Sequence, residues 1–253
     1  MKTLKSISLL ILALLVNAGA KAQATNTEKP TIVFVHGIWA DGSSFNEQTA
    51  ALQAKGYHVV AIQNPITSLA EDVATTQRAL DLIKGKVILV GHSWGGFVIS
   101  QVGNDPKVVG MVYLAAYAPE QDETVLTVSA NAGPTELTKY FAESGGYVYI
   151  TEEGVKKVFA NDLTPKQQAL IYATQTPAFH TVFNDKSGSP AWKSKPTWYV
   201  VAKGDKTINP ELERFMAKRM KAKTIELQSS HVVMSSRPED VLKLIEEAAN
   251  YKY

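Results

Sequence analysis

The sequence predicts an α/β fold: a mostly parallel sheet of about six strands, with helices on both faces and an inserted helical cap. Short continuous apolar runs alternate with segments of helical periodicity, as in units whose parallel strands are buried on both sides. One run, residues 87–90, leads directly into Gly-His-Ser-Trp-Gly-Gly and a further helical pattern. The alternation stops at about residues 117–195 and then resumes, which indicates an insertion, since so long a loop is uncommon in a compact domain.

Residues 1–22 have the features of a secretory signal peptide. Two lysines precede an almost uninterrupted apolar run over residues 7–16, and small residues form cleavage sites after Ala22 or, alternatively, Ala20. The run is shorter than the roughly 20 residues that a membrane-spanning helix needs. We therefore expect an exported protein, periplasmic or secreted, without a stable membrane association.

The remaining residues, 23–253, are enough for one domain with a large core. Because the leader contains three lysines and no acid, its removal changes the net charge from +2 to −1, which gives no reason to expect a nucleic-acid partner. The chain has no cysteine, which excludes disulfides, thiol catalysis and cysteine-ligated metals. Neither a metal-ligand spacing nor a phosphate-binding glycine loop is present, so we expect no metal and no cofactor. No pattern indicates the oligomeric state.

Each predicted element follows from a local pattern. Apolar runs predict strands, and apolar residues three or four positions apart predict helices. Ser43 or Ser44 can cap the first helix, and Thr164 followed by Pro165 can open one inside the insertion. In chain order the prediction is strand 31–35, helix to about 54, strand 57–62, helix 68–84, strand 86–90, helix 96–102, strand 108–115, cap helices 135–143, 151–160 and 164–175, strand 196–202, helix 209–220, strand 223–227 and helix 238–250.

The turn after the strand at 86–90 is typical of a nucleophile elbow, Gly-x-Ser-x-Gly between a strand and a helix. Glycine is needed at Gly91 and Gly95 because side chains there would collide with the neighbouring strand and helix. The turn lifts Ser93 above the sheet edge, at the N-terminus of a helix whose free N–H groups favour negative charge.

A serine nucleophile needs a base, and the base needs an acid that orients it. Sites in parallel sheets form at the carboxyl ends of the strands. Asp205 follows the strand at 196–202, and His231 follows the last strand. The competing acids follow the strand at 108–115; they are Glu120, Asp122 and Glu123.

With these residues the sequence resembles the α/β-hydrolase fold family over essentially the whole mature chain. The resemblance is carried by His36-Gly37, the elbow around Ser93, Gly204-Asp205 and His231, in the family's order Ser, Asp, His. The two antiparallel strands that usually lead the family's sheet are missing. Within the family the chain looks most like the small cofactor-free hydrolases that include plant methylesterases and hydroxynitrile lyases.

The resemblance implies roles for individual residues. Ser93 would be the nucleophile, His231 the general base and acid, and Asp205 the acid that orients the imidazole. The backbone N–H groups of Ile38 and Trp94 would form the oxyanion hole, in which one donor is typically worth about 3 kcal/mol of barrier. The other histidines are expected to be structural or packed, and His180 is not expected to contact substrate; they are His36, His58, His92 and His180.

The sequence thus predicts an exported serine hydrolase that cleaves carboxylic esters through an acyl-enzyme. An insertion rich in aromatic residues indicates a small apolar ester as substrate. Gly37 and Val232 favour ester hydrolysis, because the resembling hydroxynitrile lyases carry threonine and lysine at those positions. The alternatives are a perhydrolase or a carbon–carbon lyase on the same fold, or a non-catalytic ligand-binding homologue.

Overall fold

The computed structural model describes residues 29–253. The predicted signal peptide, residues 1–22, lies outside the described residues. The described chain contains nine strands: β1 (Thr31–Val35), β2 (Val59–Ile62), β3 (Val87–His92), β4 (Val108–Leu114), β5 (Phe141–Ser144), β6 (Tyr147–Ile150), β7 (Ala178–Phe179), β8 (Thr197–Ala202) and β9 (Lys223–Leu227).

Six of the strands form the main sheet, in the order β2-β1-β3-β4-β8-β9, and every neighbouring pair is parallel. The predicted parallel sheet is therefore confirmed. Its central strands β1, β3 and β8 are buried at every position, which explains their continuous apolar sequences. The edge strands β2 and β9 are only partly buried, and β9 accordingly carries charged residues on its exposed positions.

Helices cover both faces of the main sheet, as parallel crossovers require. α1 and α9 pack on each other and α9 on β3, β4 and β8, while α2 packs on α3, and α3 on β1 and β3. Within residues 29–253, no helix has both the length and the apolar character that crossing a membrane would require. The helices are α1 (Asn46–Ala54), α2 (Leu69–Leu82), α3 (Gly95–Val102), α4 (Val125–Ser129), α5 (Glu152–Gly154), α6 (Pro165–Thr174), α7 (Pro210–Arg219), α8 (Val233–Ser236) and α9 (Pro238–Ala249).

The segment between β4 and β8 forms a cap that is not purely helical. The helix predicted at 151–160 is α5 continued by a π-helical turn, Val155–Phe159. α6 begins as predicted, with Thr164 in a capping box and Pro165 at its first position. The helix predicted at 135–143 is wrong: a 3₁₀ turn, Leu137–Tyr140, runs into β5, which pairs antiparallel with β6.

Candidate active site

Ser93 sits at the sharp turn between β3 and α3. Its φ of 53° lies in the left-handed region, which is strained for a residue with a side chain. The turn is held because the carbonyl of Ser93 accepts hydrogen bonds from the N–H groups of Gly96 (3.0 Å) and Tyr117 (3.1 Å). A Cβ at Gly95 would lie 2.2 Å from the carbonyl oxygen of Val35, so only glycine lets α3 start this close to β1.

His231 and Asp205 are brought together from the ends of β9 and β8. Nδ1 of His231 donates to Oδ2 of Asp205 over 2.5 Å, and neither side chain is exposed. The other oxygen of Asp205, Oδ1, accepts from the backbone N–H groups of Thr207 (2.6 Å) and Ile208 (3.0 Å). These bonds fix the carboxylate, which in turn places the proton of a neutral His231 on Nδ1 and leaves Nε2 unprotonated.

Nε2 of His231 is buried and has no hydrogen-bond partner within residues 29–253, so the bond to Ser93 is not closed in this structure. Such bonds are often long without substrate and tighten when substrate is bound. His92, next to Ser93 in the chain, connects the two elements: its Nε2 lies 3.0 Å from the carbonyl oxygen of His231. The two rings are 4.6 Å apart. Burial and then repulsion from His231 keep the pKa of His92 well below its ordinary value, so His92 is neutral and Nε2–H donates.

The loop after β1 lies against the elbow. Over the described residues, the N–H groups of Ile38 and Trp94 donate to no protein acceptor, which leaves both free for a ligand. A Cβ at Gly37 would lie 2.5 Å from Cβ of Ser93, so the loop comes as close to the serine as a backbone can. His36 holds this loop from below, with Nε2 accepting from the N–H of Asn64 over 3.0 Å. Burial lowers the pKa of His36, in keeping with a neutral structural ring.

Trp39 fastens the same loop to the cap. It has a φ of 59°, and its backbone N–H donates to the carbonyl oxygen of Thr176 over 2.9 Å. Its indole Nε1–H donates to the carbonyl oxygen of Val148 over 2.9 Å. The ring packs against Phe141 and Phe159, with centroids 5.4 and 6.1 Å away. The conformation at Ile38 therefore depends on strand β6 and on the chain after α6.

Asp72 is a buried acid that sequence reasoning missed. It lies on α2 and accepts from Nε1–H of Trp94 over 2.7 Å and from the N–H of Ile66 over 2.9 Å. Burial raises its pKa to about 6. Because Trp94 supplies one of the two free N–H groups, Asp72 orients the residue beside the serine. An acid in the first turn of an amphipathic helix looks like an ordinary helix-start residue, and only its burial identifies it.

The competing acids after β4 are engaged elsewhere. Glu120 pairs with Lys193 over 2.5 Å, and Glu123 binds the guanidinium of Arg219 through both oxygens over 2.8 Å. Asp122 is exposed, with a φ of 65°. None of the three accepts a hydrogen bond from His231, whose Nδ1 is taken by Asp205. His58 is exposed at the start of β2, away from this site.

Two cavities lie under the cap. The larger, about 450 Å³, is mainly apolar, and it reaches both Tyr117, bonded to Ser93, and the loop after Asp205. The smaller, about 210 Å³, is lined by Val232 and by Phe159, whose ring packs on the imidazole of His231 with centroids 5.2 Å apart. His180 lines the larger cavity. The expectation that it does not contact substrate stays a prediction. Other residues of the larger cavity are Leu126, Phe141, Phe183, Ile208 and Leu212.

The part of the chain from residue 29 onward contains no group of three His, Asp or Glu side chains that could hold a metal ion. The chemistry available to this arrangement comes from a serine hydroxyl, an oriented imidazole and two free N–H groups. That combination suits attack on a carbonyl carbon, with the developing oxyanion held by backbone donors.

Comparison with known proteins finds relatives that are named as hydrolases and esterases. A carbendazim hydrolyzing esterase from Nocardioides sp. is 31% identical over 129 residues, which are 46% of this chain and 52% of that protein. A pyrethroid hydrolase from Sphingobium wenxiniae is 26% identical over 87% of each chain. An extracellular alpha/beta-hydrolase from a Paenibacillus species superposes with a TM-score of 0.75, at 20% identity, over 88% of this chain and all of that one. The model of the alpha/beta hydrolase family matches residues 32–244, and the chain therefore belongs to the alpha/beta hydrolase family.

Proposed function

We propose that this protein is a serine hydrolase that cleaves carboxylic esters through an acyl-enzyme at Ser93. The observation that carries the proposal is the buried hydrogen bond between His231 and Asp205 beneath the serine turn. It leaves Nε2 of His231 as the free basic atom beside the buried serine turn, to which His92 connects it. The free N–H groups of Ile38 and Trp94 support the same reaction, since they can bind a tetrahedral oxyanion.

In the proposed reaction, Oγ of Ser93 attacks the ester carbonyl while Nε2 of His231 takes its proton. The oxyanion is bound by the N–H groups of Ile38 and Trp94 until the carbon–oxygen bond of the leaving group breaks. His231 then gives the proton to the departing alkoxide, and the acyl-enzyme remains. Water, deprotonated by His231, then attacks the acyl carbon; the bond from that carbon to Oγ of Ser93 breaks, His231 returns the proton to Oγ, and the carboxylic acid leaves. Asp205 stays ionised and stabilises the imidazolium at each step.

Ester cleavage is favoured over carbon–carbon lysis by two positions. At Gly37 any Cβ would be 2.5 Å from Cβ of Ser93, so a substrate-binding threonine there would need the backbone to move. Val232 is buried beside His231 and lines the smaller cavity, where it offers no positive charge to a departing anion. An alkoxide needs none, because His231 can protonate it as it leaves.

The apolar lining of the larger cavity supports a small apolar ester as the substrate. Two relatives of this chain are named a carbendazim hydrolyzing esterase and a pyrethroid hydrolase, and these names support hydrolysis of an ester-like bond here.

The test is turnover of a panel of 4-nitrophenyl esters with short to medium acyl chains, set against mandelonitrile. We expect ester hydrolysis that EDTA does not change, and no release of cyanide. A fluorophosphonate probe should label one serine, and mass mapping should find it at Ser93. Cyanide release from mandelonitrile by a protein that leaves every ester intact would show the lyase to be the right alternative. A stable, unlabelled protein would point to a ligand-binding homologue.

We further propose that the protein is exported and that residues 1–22 are removed. The support is the pattern of the leader itself, a basic start, an apolar run and small residues before the polar segment. N-terminal sequencing of protein collected outside the cytoplasm should start at Gln23 or, for the alternative cleavage, Lys21. A sequence beginning at Met1 in that material would contradict the proposal.

A further inference from the structure

Directly beneath Asp205 lies a second acid that the reaction above does not use. Glu213 is in the first turn of α7 and is completely buried. Its Oε2 accepts from the N–H of Ala202, the last residue of β8, over 2.8 Å. The carbonyl oxygen of Ala202 in turn accepts from the N–H of Asp205 over 3.1 Å. The backbone of Ala202 thus bonds to the side chain of Glu213 and to the backbone of Asp205, which keeps the two residues close together.

The other oxygen of Glu213, Oε1, is buried and finds no hydrogen-bond donor within residues 29–253. The side chain that interacts with Glu213 is the Asp205 carboxylate, and the backbone of Ala202 bonds to both residues. Two ionised carboxylates in contact inside a protein repel each other strongly, whereas one proton between them makes a hydrogen bond. The buried Oε1 of Glu213 is therefore the atom at which a proton would complete a hydrogen bond to Asp205.

The proton belongs on Glu213 because the two acids have different donors. Asp205 accepts from two backbone N–H groups and from His231, and all three bonds stabilise its charged form. Glu213 accepts from one N–H, that of Ala202. A carboxylate has about four acceptor positions, so a Glu213 hydroxyl would complete the set around Asp205.

The surroundings of Glu213 favour its neutral form. Burial, followed by repulsion from Asp205, raises the pKa of Glu213 well above its ordinary value. Two phenols face it from β8 and from the segment after β4, namely Tyr199 and Tyr117, and neither brings a positive charge. The positive charge that acts on Glu213 is that of Arg214, which is partly exposed and already paired with Glu211 and Glu226.

We infer that Glu213 is a positioning residue: as a neutral carboxylic acid it donates a hydrogen bond to Asp205 and so fixes the Asp205–His231 pair. The inference rests on the role proposed for Asp205. The chain of contacts then runs from Glu213 through Asp205 and His231 toward Ser93. Its function is to hold the carboxylate with Oδ2 toward the imidazole without adding a second negative charge.

Glutamine and alanine at position 213 separate this role from simple packing. Glu213→Gln keeps an oxygen for the N–H of Ala202 and offers an N–H to Asp205, so it imitates the protonated acid. It should keep kcat/KM for a 4-nitrophenyl ester within about twofold at pH 7. Glu213→Ala removes a bond to a charged group, and kcat/KM should fall by about ten- to a hundredfold. Glu211→Gln is the matched control, because Glu211 is an exposed acid on the same helix. It should leave kcat/KM at the wild-type level.

The pH dependence of unfolding shows whether Glu213 is protonated in the folded protein. Below the ordinary pKa of a glutamate, about 4.3, the side chain is protonated in both the folded and the unfolded protein. Above it only the unfolded protein releases the proton, so the stability of the wild type falls with rising pH up to the raised pKa of Glu213. Glutamine does not titrate. The melting temperature of Glu213→Gln should therefore gain on that of the wild type as the pH rises above about 5.

Several results would overturn the inference. A difference in melting temperature that does not grow with pH would mean that Glu213 is ionised in the folded protein. Equal losses of activity in Glu213→Gln and Glu213→Ala would mean that the donated hydrogen bond has no role. If the wild type cleaves no ester, the proposed function fails, while the unfolding series still reports on Glu213. If esters are cleaved and the unfolding series is flat, the inference about Glu213 fails alone.

Discussion

Ser93→Ala is expected to lower kcat for a 4-nitrophenyl ester by at least about 10³-fold and to leave the protein folded. The variant removes the only atom proposed to form a covalent bond with the substrate, while the free N–H groups of Ile38 and Trp94 remain. The backbone at position 93 has a φ of 53°, which alanine must also adopt, so any change in stability should be small. Steady-state kinetics and a thermal melt measure the two effects.

Ser189→Ala is the matched control, since Ser189 is an exposed serine of the segment that leads back into the sheet. It should keep full activity and full labelling by a fluorophosphonate, whereas Ser93→Ala should keep neither. Activity of Ser93→Ala close to that of the wild type, with normal folding, would remove Ser93 from the reaction.

Asp205→Asn should reduce kcat by up to about 10⁴-fold with little change in the melting temperature. An asparagine would keep its oxygen toward the N–H groups of Thr207 and Ile208, which need an acceptor. Its amide N–H₂ would then face Nδ1 of His231, where it would donate. The imidazole would be forced to carry its proton on Nε2, the atom that must accept the proton of Ser93.

Asp122→Asn is the comparison for this prediction, because Asp122 is one of the acids that the sequence left open. It is exposed and away from the imidazole, so its replacement should have little effect on kcat. The assignment of the acid would be reversed by full activity in Asp205→Asn together with a large loss in Asp122→Asn or Glu123→Gln.

The main sheet could be predicted from the sequence because its strands are buried on both faces. Burial on both faces forces continuous apolar runs such as residues 32–35 and 87–90, and those runs have few other interpretations. The serine turn could be predicted equally well. The contact between Gly95 and the carbonyl of Val35 tolerates no side chain, so the sequence must have glycine there. Tight packing leaves a clear record in the sequence at such places.

The cap was harder to predict because its elements are short and partly exposed. The prediction of a helix at 135–143 did not take into account the turn that follows, at Gly145 and Gly146. Gly145 and Gly146 have φ values of 58° and 83°, the left-handed pair of a two-residue hairpin turn between β5 and β6. Gly-Gly between two segments rich in aromatic residues is itself a hairpin signal, and it outweighs a short helical spacing.

Asp72 and Glu213 show a different reason why part of the site could not be predicted. Both are acids in the first turn of a helix, a position where acids are common for reasons of helix stability alone. Their burial depends on which helix face meets the sheet and on how far the helix lies from β8 or from the elbow. That distance is a property of the assembled fold, and no local pattern records it.

The attachment of Trp39 to the cap has a consequence for exchanging parts between relatives. One tryptophan donates to the carbonyl oxygens of Val148 and Thr176, both of which belong to the cap. A cap grafted from another hydrolase would have to bring both acceptors to the same places, or the loop carrying Ile38 would lose its support. A change of the cap that alters the substrate range is therefore expected to alter the loop carrying Ile38 as well. A new cap that suits a new substrate should be chosen together with the residue at position 39.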